Sequence, residues 1–72
     1  MGPQIIFIIE IGKSSHVTYS VLSAINTLKS EEVEEDVIFE ISAEIINFIL
    51  SDKKTKSMRI YGIDLFLVKP VS

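Results

Sequence analysis

The sequence predicts a small α/β domain, a two-layer sandwich in the order strand-helix-strand-helix-strand, formed as one unit over residues 1–72. Three patterns carry that expectation. Gln4 to Ile11 is rich in β-branched residues and apolar on both faces, Val17 to Leu28 repeats its apolar positions at helical spacing, and Ser57 to Lys69 alternates between two faces. A chain of 72 residues hides only about 60% of its unfolded surface, so it supports a single core.

The first strand, Gln4 to Ile11, reads as a central strand covered on both sides. Gly12 stops it, and Ser14-Ser15 supplies hydroxyls suited to the N-cap of a helix from about Ser15 to Lys29. Val17, Val21, Ala24, Ile25 and Leu28 form the apolar face of that helix. The segment Asp36 to Ile41 fits two templates. As a strand it is a short β-branched and aromatic run, followed by a helix from Ala43 to about Asp52. As part of one long helix, Asp36, Glu40, Glu44, Asn47 and Ser51 form a polar stripe opposite Val37, Ile41, Ile45, Phe48 and Ile49, giving the rival order strand-helix-long helix-strand. The strand is preferred because Val-Ile-Phe is poor helix material. From Ser57 to Lys69 the alternation puts Tyr61, Ile63, Leu65 and Leu67 on one face, and Met58, Ile60, Phe66 and Val68 on the other. Gly62 marks a bulge or bend and Pro70 ends the pairing.

Composition constrains the function. Hydrophobic residues make up 47% of the chain, with a mean hydropathy of +0.39. Both are high for so small a molecule, and the surplus apolar surface is expected to face another molecule. The longest unbroken apolar run, Ile5 to Ile9, is far short of the ~20 residues of a spanning helix. With no charged leader and no cleavage site, a cytoplasmic location is expected. There is no cysteine, and the single histidine, His16, has no second His or Cys with which to complete a transition-metal site, so neither disulfide nor metal is expected to staple the core. A second subunit is the remaining support.

The net charge of −3 conceals a segregation along the chain. Residues 1–30 sum to +1, residues 31–52 carry eight acids and no base, and residues 53–72 sum to +4. Ile8 to Ser15 has the strand, Gly-Lys-Ser and helix of a nucleotide-binding loop, but Phe7 stands where that loop needs its first glycine, which excludes polyphosphate binding. A single phosphate at a helix start beside Lys13, Ser14 and Ser15 stays compatible. His16 lies near Ser14, Ser15 and Glu10, but such a run is ordinarily a cap with a surface histidine. The acids from Glu31 to Asp36 read as a solvated face. No catalytic constellation is present, so neither an enzyme nor a cofactor is expected.

The stretch Ile11-Gly12-Lys13-Ser14-Ser15-His16-Val17-Thr18-Tyr19-Ser20-Val21-Leu22-Ser23-Ala24-Ile25 resembles the opening of the Alba family, small archaeal and eukaryotic nucleic-acid-binding proteins. In that family a first strand ends in Ile/Val-Gly-Lys, and the next helix carries Val-x-x-Tyr-Val-Leu-x-Ala. Here Val17 and Tyr19 to Ala24 echo it with the Val-to-Tyr spacing one residue shorter, and Val37 to Ile41 falls close to the family's next strand. The likeness covers about half the chain. Only Lys13 of the family's paired lysines carries over, and Glu40 and Glu44 stand where the family has a basic strand. The resemblance implies a dimerising scaffold of a ribonucleoprotein or chromatin-like assembly. The first functional expectation is accordingly a non-catalytic domain that touches nucleic acid weakly through Lys13, the Ser14-Ser15 helix start and the basic residues Lys53, Lys54, Lys56 and Arg59. The competing expectation, drawn from the acidic middle and the apolar surplus, is a protein-interaction or structural subunit without nucleic-acid contact. Both expect a homodimer or a partner subunit, joined through an uncovered apolar sheet face or an open strand edge such as Met58 to Val68.

Overall fold

The structure, a computed structural model, describes residues 4–70. Two helices cover one face of a four-stranded antiparallel sheet: β1 (Ile6–Ile11), β2 (Ser14–Thr18), α1 (Val21–Ser30), α2 (Glu35–Leu50), β3 (Thr55–Ile60) and β4 (Ile63–Val68). The strand order is β2-β1-β4-β3, so each hairpin supplies one central and one edge strand. The expected α/β class and its two layers hold. The order does not, because it is strand-strand-helix-helix-strand-strand.

The first difference begins at Gly12. Its φ of +58° at the first of two residues linking Ile11 to Ser14 fits a type II′ turn, whose backbone twist matches that of a hairpin. Ser14 to Thr18 therefore returns as β2, with Ser15 opposite Glu10, His16 opposite Ile9 and Val17 opposite Ile8. The predicted helix start at Ser14-Ser15 moves to Ser20. That residue has an extended backbone, and its hydroxyl accepts the Ser23 N–H at 3.1 Å. At the far end of α1, Glu32 adopts φ +60°, its N–H donates to Lys29 O at 3.0 Å, and the Val33 N–H donates to Leu28 O at 3.1 Å. This pair of bonds is a Schellman motif, in which Glu32 fills the left-handed position usually taken by glycine.

The second difference lies in residues 36–41, which belong to α2 rather than to a strand. Helical phase buries Ile38, Ile41, Ile45 and Phe48 together, and that shared burial outweighs the strand preference of Val-Ile-Phe. Glu35 and Asp36 sit in the first turn, where they complement the helix dipole. The last turn has no basic residue of its own. Lys69, just past β4, supplies the cation: its Nζ donates to Ser51 O and lies 4.8 Å from the centre of the Phe48 ring.

The third difference is at Tyr61-Gly62. With φ of +50° and +80°, these two residues form a type I′ turn that breaks the expected single strand into β3 and β4. Met58 and Ile60 consequently share the covered face with Ile63, Leu65 and Leu67, instead of lying opposite them. The core is one cluster of Phe7, Ile9, Ala24, Leu28, Ile38, Ile41, Ile45, Phe48, Ile63, Leu65 and Leu67, and among the described residues every fully buried one is apolar. β1 is central, as expected, but only one of its faces is covered. No helix among the described residues is long and apolar enough to cross a membrane.

Candidate interaction surfaces

Strand alternation divides the sheet residues between a covered and an open face. On the open face, Val17, Ile8, Phe66 and Ser57 form one cross-strand row, and Ser15, Glu10, Asp64 and Arg59 form the next. Ile6 and Val68 continue the apolar area toward the other end. Val17 and Phe66 are 53% and 39% exposed. A groove of about 620 Å³ crosses β1, β4 and β3 between Ile8, Phe66 and the Glu10-Asp64-Arg59 row. Arg59 lies 3.7 Å from Asp64, so the only base of that row already faces an acid.

A second apolar surface lies on the solvent side of α2. Phe39, Ala43, Ile46 and Leu50 are all exposed, on the side of the helix away from the core residues Ile38, Ile41, Ile45 and Phe48. The sequence template had shown a polar stripe through Asp36, Glu40, Glu44 and Asn47. It missed that this stripe separates two apolar ones. The spacing of 39, 43, 46 and 50, four then three then four, is the signal that would have found the second.

The residues expected to contact nucleic acid fall into separate groups. Lys13 lies in the β1–β2 turn, at the end of the sheet that also holds the Tyr61-Gly62 turn. Ser14 and Ser15 belong to β2, so they do not form a helix N-terminus. Lys53, Lys54 and Lys56 lie at the opposite end, one strand length or about 17 Å away. There Lys53 and Lys56 border a shallow hollow of about 200 Å³ with Asn47, Phe48 and Ser51. Arg59 is on the open sheet face beside Asp64.

The charge segregation of the chain becomes a segregation in space. At the Lys13 end, Glu31, Glu32, Glu34, Asp36 and Glu40 line a hollow of about 460 Å³ with Tyr61. His16 Nε2 is 2.8 Å from Glu31 Oε2, an ion pair or hydrogen bond that ties β2 to the end of α1. Ser15 and Glu10 project from the other face of the sheet, so His16 forms no triad with them. Among the described residues, no group of three or more potential ligands is placed to hold a metal ion. The molecule thus has an acidic end, a lysine-rich end and apolar residues on both broad surfaces between them. No family model, curated protein or solved structure matches the chain.

Proposed function

We propose that the chain is a non-catalytic protein-interaction module, a structural subunit that offers one apolar surface on each of its two layers. The observation that carries this reading is the placement of large apolar side chains on both outer surfaces, Val17 and Phe66 on the sheet and Phe39, Ile46 and Leu50 on α2. Charge argues for protein rather than nucleic acid on the sheet. Glu10 and Asp64 outnumber Arg59 there, and a polyphosphate backbone would meet a negative row. The sheet face suits a protein surface that is apolar at its centre and presents a Lys or Arg to Glu10.

A second reading, the weak nucleic-acid contact of an Alba-like scaffold, is favoured by the exposed Lys53 and Lys54 with Lys56 beside them. Fluorescence anisotropy with labelled duplex DNA and single-stranded RNA separates the two. The interaction-module reading expects no saturable binding at physiological salt. Saturable binding that weakens steeply with salt, and disappears when Lys53, Lys54 and Lys56 are replaced by Ala, would transfer the function to nucleic acid.

A further inference from the structure

We propose that the outer stripe of α2 is a homodimer interface, on which a second copy of this chain packs its own α2 antiparallel. The inference rests on the reading of an interaction module and names the occupant of one of its two surfaces. Phe39, Ala43, Ile46 and Leu50 lie within about 60° of helical arc and span ~16 Å of the axis. Phe39 is 77% exposed, Leu50 79% and Ile46 51%, whereas the opposite side of the same helix is fully buried. Such a narrow second stripe at heptad spacing fits a partner helix better than a broad surface.

Two features select a second copy as that partner. The first is that the 4-3-4 spacing is the same read in either direction. A two-fold axis level with Glu44-Ile45, the middle of the stripe, sets Phe39 against Leu50 of the second copy, and Ala43 against Ile46 of the second copy, a small residue facing a larger one. The second is charge. Glu35 and Asp36 open α2, and the exposed Lys53 and Lys54 follow its last residue, Leu50. Antiparallel packing therefore places the acidic start of each helix beside the lysines that follow the other, and opposes the two helix dipoles. Parallel packing would instead set the acidic helix starts, Glu35 and Asp36, beside each other.

The absence of cysteine makes the geometry directly testable. Phe39→Cys and Leu50→Cys are prepared as separate chains and oxidised alone and mixed, then separated under non-reducing conditions. The antiparallel pair predicts covalent dimers from the mixture and at least tenfold less from either chain alone, because like positions are ~16 Å apart, beyond disulfide reach. Efficient cross-linking of either chain with itself would overturn the antiparallel register. As a second measurement, sedimentation compares the double variant Phe39→Glu/Leu50→Glu with Phe66→Glu on the sheet face, each confirmed as folded by circular dichroism. The inference expects a monomer from the α2 variant and a dimer from the sheet variant. A dimer that survives the α2 variant, or a monomeric wild type, overturns the inference. Neither result overturns the interaction-module reading, which fails separately on the nucleic-acid titration.

Discussion

Phe39 and Phe48 make one chemical change two different experiments, because they lie nine residues apart on α2 with opposite exposures. Phe48 is 1% exposed in the core, and its ring also receives Lys69 at 4.8 Å. Truncation to Ala removes a full aromatic contact set and leaves a cavity, a loss of about 3–5 kcal/mol, with about 0.5–1 kcal/mol more from the cation–π contact. A domain of this length has a total stability of roughly 4–11 kcal/mol, so Phe48→Ala removes a third of it or more. Phe39→Ala, at an exposed helical position, should stay within about 0.5 kcal/mol of wild type, because alanine's better helix propensity offsets the little packing lost. Urea unfolding at a concentration low enough to keep the chain monomeric is the assay. With a slope of about 1 kcal/mol per molar, the midpoint falls by several molar for Phe48→Ala and by less than about 0.5 M for Phe39→Ala. If residues 36–41 were a strand, Val37, Phe39 and Ile41 would share one face and Phe39→Ala would be costly. Comparable losses from the two variants would therefore refute the helical phase of α2.

Three further variants probe the local devices that set the element order. Ser20→Ala removes the side-chain acceptor at the start of α1 and should cost about 1 kcal/mol by thermal or urea unfolding; an unchanged midpoint would mean that the helix starts elsewhere. Glu32→Gly relieves a side chain held at φ +60° and should stabilise the domain by up to about 1 kcal/mol, whereas destabilisation would contradict the left-handed cap. Tyr61→Asn creates Asn-Gly in the type I′ turn and should raise the melting temperature by a few degrees, reflecting about 0.5–1 kcal/mol; a lowered melting temperature would argue against that turn.

Much of the covered layer was legible because its periodicities are strong. Gln4 to Ile11, the apolar face of α1 and the alternation in the tail each led to a real element. β2 was hidden because an edge strand needs little apolar alternation: Ser14, Ser15, His16 and Thr18 read as cap hydroxyls and a surface histidine, while the Gly12-Lys13 link was read as a stop. α2 was ambiguous because two apolar stripes leave only a narrow polar one, which blurs helical periodicity toward that of a buried strand. The last hairpin was masked by its turn, since tyrosine at positive φ is not a turn signal. The charge blocks of the sequence carried into the fold, because the α1–α2 and α2–β3 connections lie at opposite ends of α2. The candidate nucleic-acid residues were read along the chain, and the hairpins distribute them over both ends of the sheet.

Sedimentation equilibrium of the pure chain, from about 1 µM to several hundred µM, tests the central claim that its outer apolar surface is for self-association. The account predicts a reversible monomer–dimer equilibrium that persists at about 1 M salt, where a screening length near 3 Å weakens the attraction between the acidic helix starts and the lysines of the other copy but leaves the Phe39–Leu50 packing. A folded chain that sediments as a monomer throughout that range would contradict it.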